Sequence, residues 1–198
     1  MISFNTVTEK LIIRDITPDD FVNLKRVYND KSVLRYLAKI PFDDDVISQR
    51  LYDMVKYKTL NLQLSSAIIE RRTNRFIGFT RIDLYPSFDY LRKHGMQVER
   101  VIDDLGPGGY FQSAYLLEEY QSKGYMTEVI SLLVKYLSGN GIRYLFGSIH
   151  HKNLAAKKLL DKFGFEYIYT APIDLRPLGI PFDSNSLNDD YFAIIELK

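Results

Sequence analysis

The stretch Leu117-Glu118-Glu119-Tyr120-Gln121-Ser122-Lys123-Gly124-Tyr125-Met126-Thr127-Glu128 joins a β-rich run to a run with helical spacing. A helix opening near Gly124 leaves its first amide donors without intrahelical acceptors and adds the positive end of its dipole, so backbone alone can hold a diphosphate there. Gly124 lets such a ligand approach closely. Lys123 reads two ways, as a charge contact to a phosphate or as a solvated lysine ahead of a helix. One glycine before a helix is also what an ordinary strand-to-helix turn contains, so the surroundings must decide.

The elements around this loop are legible from periodicity. The run Glu9 to Ile16 carries Leu11, Ile12 and Ile13 and predicts a strand that stops at Thr17-Pro18-Asp19-Asp20, where Thr17 suits a helix cap and Pro18 a first turn. Phe21, Leu24, Val27 and Tyr28 then recur at helical spacing, and Ile47, Leu51, Met54 and Val55 do so after the acidic start Asp43 to Asp45. Two or three helices are expected before the main sheet. Leu62 to Glu70 and Arg75 to Tyr85 are β-rich runs joined by Arg71-Arg72-Thr73-Asn74, which predicts a hairpin. Pro86 to Gly109 shows no period and is expected to be a long connection.

Beyond it the pattern becomes strand, helix, strand, helix, strand. Tyr110 to Leu117 reads as a strand. Tyr125 to Leu137 places Met126, Ile130, Leu133 and Leu137 on one helical face, with Gly139 and Gly141 as its stop. Arg143 to His150 is expected to be a buried strand, Asn153 to Phe163 a helix ending at Gly164, and Phe165 to Thr170 a strand. A proline-marked excursion (Pro172, Pro177, Pro181, then Ser184 to Asn188) precedes a last strand, Tyr191 to Leu197.

The bulk numbers bound the function. A chain of 198 residues, 46% hydrophobic, is long enough for one domain with a core, and residues 1–198 are read as that single domain. Lys plus Arg total 26 against 25 acidic residues, a net charge of +1 that gives no long-range pull on nucleic acid or anionic lipid. Without cysteine there is no disulfide framework, thiolate metal site or thiol nucleophile. No stretch approaches the roughly 18 apolar residues of a membrane span, and the N-terminus has no apolar leader core, so a cytoplasmic location is expected.

The loop, together with Asn153, Ala156 and Lys162-Phe163-Gly164-Phe165, resembles the GCN5-related N-acetyltransferase (GNAT) superfamily, in particular its RimJ/RimL-like ribosomal-protein alanine acetyltransferase branch. The resemblance is close over Ser113 to Phe165 and looser at Leu11-Ile12-Ile13-Arg14 and Phe76-Ile77-Gly78-Phe79. The family's phosphate loop reads Gln or Arg, two residues, Gly, one residue, then Gly or Ala. Here it is Gln121, Ser122, Lys123, Gly124, Tyr125, Met126 and runs on to Thr127. Met126 departs at the last position, and Ser122 stands where this branch usually has glycine; neither removes a backbone amide. The resemblance implies an α/β (α+β) fold with a central mixed, mostly antiparallel sheet, splayed between strands 4 and 5 in the family's own count, which ends its strand 4 at the loop, and flanked by helices.

It also implies acetyl-CoA as cosubstrate, no metal, and direct attack of an amine on the thioester without an acyl-enzyme. Tyr115, Leu116 and Leu117 would pair through their backbone with the pantetheine arm, and Asn153 would touch it too. A plain helix N-cap explains an asparagine at 153 equally well. Lys157, one turn later, either approaches a phosphate or faces solvent. Many relatives place a tyrosine on the helix after that asparagine, and this branch often a serine three residues after it; this chain has Leu160 and Ala156 there.

Proton transfer needs a base and an acid. Tyr110, on the strand face shared with Gln112, Ala114 and Leu116, lies near where related enzymes carry a base. A tyrosine is a poor base at neutral pH and is better suited to orienting a water or the substrate. His150 titrates in a useful range but adjoins His151 in what reads as a loop, where a solvated pair is as good an account. Glu118 is a third candidate base, or an exposed strand-end carboxylate. Around the acceptor, Tyr90, Glu99, Asp103 and Asp104 in one segment and Asp183, Asn185, Asp189 and Asp190 in another are compatible with a cationic amine such as a peptide N-terminus, a polyamine or an amino sugar. As solvated loop charges they need no such role. Two other functions stay open, a catalytically silent CoA-binding module and a nucleotide-binding protein that reuses the loop. A homodimer is common among relatives, and the sequence does not test it.

Overall fold

The computed structural model describes residues 3–37, 41–85, 108–170 and 190–197. The chain divides into two compact units, Met1–Leu84 with Phe111–Leu133, and Tyr85–Tyr110 with Val134–Lys198.

In the first unit β1 (Thr6–Val7), β2 (Leu11–Asp15), β3 (Gln63–Glu70) and β4 (Arg75–Tyr85) lie side by side in that order, each antiparallel to the next. β5 (Gly108–Leu116), which enters this unit at Phe111, follows β4. Every residue of β3 is buried, as a strand covered on both faces requires. The β3–β4 register slips between Ile68 and Ile69, which face Gly78 and Phe76 and leave Ile77 as the extra residue of a bulge.

Between β2 and β3 come α1 (Phe21–Tyr28), α2 (Lys31–Leu37) and α3 (Asp44–Thr59). The chain enters α1 through a 3-10 turn, Pro18–Asp20. The buried Asp20 carboxylate closes that turn, accepting the Thr17 N–H at 2.9 Å and both arms of the Arg14 guanidinium at 2.7 and 2.8 Å. The Asp43 carboxylate caps α3 by accepting the Val46 N–H at 2.8 Å. Leu24, Val27 and Tyr28 of α1 and Ile47, Leu51 and Met54 of α3 are buried at helical spacing, with Leu11 and Ile13 of β2 and Leu64 and Ile68 of β3. Each such side chain contributes about 1.5–3 kcal/mol relative to exposure.

α4 (Tyr125–Gly139) begins in the first unit and ends in the second. The second unit holds β6 (Tyr144–His150), α5 (Leu154–Asp161), β7 (Glu166–Thr170) and β8 (Asp190–Glu196), with β8 between β6 and β7 and antiparallel to both. Helix ends follow the glycines. Gly141 takes φ +78° as the Ile142 N–H reaches Leu137 O at 3.0 Å, and Gly164 takes φ +77° as the Phe165 N–H reaches Leu160 O at 3.3 Å. Gly139, expected to help stop α4, is instead its last residue. The expected connection and excursion lie mostly outside the described residues, apart from Gly108 and Gly109, which open β5.

Candidate functional site

The loop is positioned by β5, which lies tight against β4. The Leu117 N–H donates to Ile77 O, the carbonyl freed by the bulge, at 2.9 Å. A Cβ on Gly78 would collide with the Tyr115 carbonyl and the Leu116 side chain, so only glycine allows this approach. Tyr115 turns its carbonyl, and Leu117 its N–H, toward β4. Strand alternation therefore directs the polar groups of Leu116 the other way. The Leu116 carbonyl accepts Nε2 of Gln121 at 2.9 Å, and the same Nε2 reaches Ser32 Oγ at 2.7 Å. Glu118 opens a 3-10 turn (Glu118–Tyr120) rather than ending the strand, and its N–H donates to Asp30 Oδ2 at 3.3 Å. Both ends of the turn are thus tied to the start of α2.

Two left-handed residues then redirect the chain, Ser122 at φ +59° and Gly124 at φ +82°. The cost falls on Ser122, about 1–2 kcal/mol for a non-glycine residue, and it is where the family pattern has glycine. The first amide bonded inside α4 is that of Glu128, to Gly124 O at 3.1 Å. The amides of Gly124, Tyr125, Met126 and Thr127 precede it and have no acceptor among the described residues.

Side chains that would compete for those donors are committed elsewhere. The Glu128 carboxylate accepts the Thr8 hydroxyl at 2.6 Å. Glu70 accepts the Tyr125 hydroxyl at 2.6 Å and the Thr73 hydroxyl at 2.5 Å. The hydrogen bond from Thr73, then that from Tyr125, hold Glu70 below the usual carboxylate range, and the hydrogen bond to Glu70, then burial, raises Tyr125 in turn. Lys123 is exposed, with Nζ 5.4 Å from the Tyr120 ring centroid. The result is a set of backbone donors at the positive end of a helix, suited to anionic oxygens. Thr8, Ser32 and Glu70 escaped the sequence reading because they lie tens of residues away and match no local pattern.

The structure brings the predicted loop residues Gln121 to Thr127 together with Tyr115 and Leu116 at the end of β5 and Leu117 just after it. In the second unit Asn153 is the N-cap of α5, its Oδ1 accepting the Ala156 N–H at 3.1 Å. Lys157 Nζ lies 3.3 Å from both Asp161 oxygens and 4.3 Å from the Tyr167 ring centroid. Burial first, then its hydrogen bond to Asp161, push the Tyr167 hydroxyl up to about 12. Leu160 is buried.

The candidate proton-transfer groups are less defined. The Tyr110 side chain lies outside the described ones. Glu118 is exposed. His150 stacks on His151 at 4.6 Å, and its Nδ1 accepts the Lys152 N–H at 3.2 Å, which leaves the proton of the neutral ring on Nε2. Among the described residues no group of three His, Cys, Asp or Glu side chains is placed to hold a metal, and no helix is long and apolar enough to cross a membrane.

A family profile described as the acetyltransferase (GNAT) domain matches residues 10–166. Among solved structures, the chain is similar to the ribosomal-protein-S5-alanine acetyltransferase from Vibrio fischeri, with TM-score 0.72, 16% identity, and 100% of this chain and 98% of that one covered. The RimL ribosomal L7/L12 α-N-protein acetyltransferase matches with TM-score 0.72 and 12% identity over 99% and 96% of the two chains. A spermidine N-acetyltransferase from Vibrio cholerae, in complex with CoA and spermine, matches with TM-score 0.68 and 14% identity over 96% and 97%. At these identities the likeness shows the fold, which is that of the family. No curated protein matches the sequence.

Proposed function

The chain belongs to the GNAT acetyltransferase family, and on that premise we propose that it moves the acetyl group of acetyl-CoA directly to a primary amine, on a protein N-terminus or a small molecule. The observation that carries the reading is the row of amides from Gly124 to Thr127, without acceptors among the described residues, at the start of α4. The CoA pyrophosphate lies on that row, where the helix dipole and the backbone donors act together. Lys123 adds charge at the rim.

The pantetheine arm meets the end of β5 at Leu116, whose N–H, directed away from β4, is its first donor. Asn153 spends Oδ1 on its own helix, so Nδ2 is the group it offers the arm. Lys157 reaches a phosphate by leaving its exposed ion pair with Asp161.

In the reaction the amine nitrogen forms a bond to the thioester carbon and the carbon–sulfur bond breaks. The amine proton leaves to a base, and the thiolate takes a proton to become the free thiol. Tyr110, Glu118 and His150 are the groups we assign to this proton traffic. His150 serves as a base through Nδ1, once that nitrogen releases the Lys152 amide.

Ala156 and Leu160 lack the hydroxyls that many relatives present on this helix, and that favours a second reading, a silent acyl-CoA-binding module. Incubation with acetyl-CoA and a panel of amines, followed by thiol release, separates the two. Release that depends on an amine is expected. Tight CoA binding with no release on any amine selects the silent module, and preference for ATP or NAD over CoA contradicts both.

A further inference from the structure

β4 carries a cation whose burial the cofactor reading does not use. Arg81 is 8% exposed. Its guanidinium has several N–H donors, yet among the described residues Nε has no hydrogen-bond partner, and the Asp83 carboxylate oxygen with which it forms an ion pair is 3.8 Å away. That distance supports an ion pair and no hydrogen bond. The same Asp83 oxygen already accepts Gln63 Nε2 at 2.5 Å, and Gln63 Oε1 accepts the Ser65 hydroxyl at 2.9 Å. A buried guanidinium whose Nε–H lacks an acceptor is costly, and a ligand that supplies an acceptor would complete it.

Its place on the sheet says what the ligand would be part of. In the β3–β4 register Ala67 faces Phe79, Ser65 faces Arg81 and Gln63 faces Asp83. Phe79, Arg81 and Asp83 alternate onto one face of β4. On that face Phe79 lies edge-on to Tyr115 at 5.6 Å, and Tyr28 of α1 meets Phe79 at 5.1 Å and Tyr115 at 6.2 Å. The Tyr28 hydroxyl is also buried, without a hydrogen-bond partner among the described residues. The aromatic cluster beside the strand proposed to hold the pantetheine arm is therefore followed, one position along the same face of β4, by Arg81, which faces Ser65 of β3. The planar fork of donors on Arg81 matches a carboxylate, which two parallel N–H···O bonds can engage.

We propose that the acceptor carries a carboxylate near its amine and that Arg81 binds it, making Arg81 a specificity-determining residue. This rests on the acetyltransferase reading and narrows it to amines bearing an acidic group, such as a peptide with an acidic residue close to its N-terminus.

The test uses peptide pairs that differ only in Glu or Gln at the first, second or third position. Each pair is titrated into CoA-saturated protein and offered in parallel as acceptor with acetyl-CoA. For at least one position the Glu peptide is expected to bind about tenfold tighter, with kcat/KM higher by about the same factor, as a charge-assisted bidentate contact predicts. In Arg81→Gln the Glu/Gln ratio falls to unity; Arg81→Lys, which keeps a buried charge beside Asp83, retains part of it. Equal binding of every pair to the wild type, or a ratio unchanged in both variants, overturns the inference whether or not acetyl is transferred. Preferential binding of Glu peptides with no transfer leaves the carboxylate site standing and removes the acetyltransferase reading.

Discussion

Two helices of this chain open soon after a strand, α4 after β5 and α5 after β6, and they satisfy their first turns in opposite ways. α5 looks after itself, with Asn153 Oδ1 on the Ala156 amide, while Lys157 is tied to Asp161 and lies over the Tyr167 ring. At α4 the row Gly124 to Thr127 is left without acceptors among the described residues, and the nearby carboxylates of Glu70 and Glu128 are occupied by the hydroxyls of Tyr125 and Thr8. A carboxylate at a helix N-terminus usually stabilises it. Turning both away keeps the donors for an external anion and lowers the repulsion that anion meets. The contrast separates a helix start that serves stability from one that serves binding.

The strand that delivers the α4 loop offers the sharpest way to break that contrast. Gly78→Val drives a side chain into the Tyr115 carbonyl and forces β5 off β4. We expect a loss of about 3 kcal/mol or more, read by chemical denaturation, with CoA affinity lost alongside. The next largest effect is expected from Tyr125→Phe, which removes the hydroxyl from Glu70. It leaves that carboxylate free to turn toward the donors, so CoA affinity should fall about tenfold, near the value of a hydrogen bond to a charged group. Stability should change little, and a calorimetric titration measures both the affinity and its salt dependence.

Asn153 gives the complementary result. Asn153→Ala is expected to cost about 1 kcal/mol of stability through the lost cap. Asn153→Asp keeps the cap and restores stability, while removing the Nδ2 donor proposed for the pantetheine arm. Weaker CoA binding in Asn153→Asp supports the double role, and unchanged binding reduces the residue to a cap.

The smallest effect is alkaline. Tyr167 is raised from 10.0 to about 12 in the folded chain, so its neutral form is the one the fold favours. Its contribution is complete below pH 10 and is lost as pH rises toward about 12. Thermal midpoints measured between those values should fall more steeply in the wild type than in Tyr167→Phe.

How much of this was legible follows from the range over which each cause acts. The α4 loop was readable because a helix start is local: Gly124, the β-rich run before it and the apolar spacing after it lie within a few turns of chain. The helices of the first unit were readable for the same reason, down to Asp43 at the start of α3, and so was the hairpin around Arg71 to Asn74. Asn153 was readable as a cap and as a family position, and its geometry has the first role. The bulge that frees the Ile77 carbonyl was not readable, since it depends on how β3 and β4 register. Nor were the Tyr125–Glu70 and Glu128–Thr8 contacts, which pair residues brought together only by the fold. Arg81 was invisible too, because an arginine within a strand signals nothing until its burial and the distance to Asp83 are known. Glu118 was misplaced at the end of a strand because a short 3-10 turn leaves no periodic trace.

The central claim is that backbone donors at the start of α4 hold the CoA pyrophosphate, and calorimetric titration of acetyl-CoA into the wild type and Gly124→Pro tests it most directly. Proline fixes φ near −65° where the chain needs +82° and removes one of the amides. The account predicts saturable binding to the wild type and a loss of about a hundredfold or more in the variant, with far-ultraviolet circular dichroism showing that the variant remains folded. Equal affinity of the two proteins for acetyl-CoA, or no binding to the wild type, would contradict it.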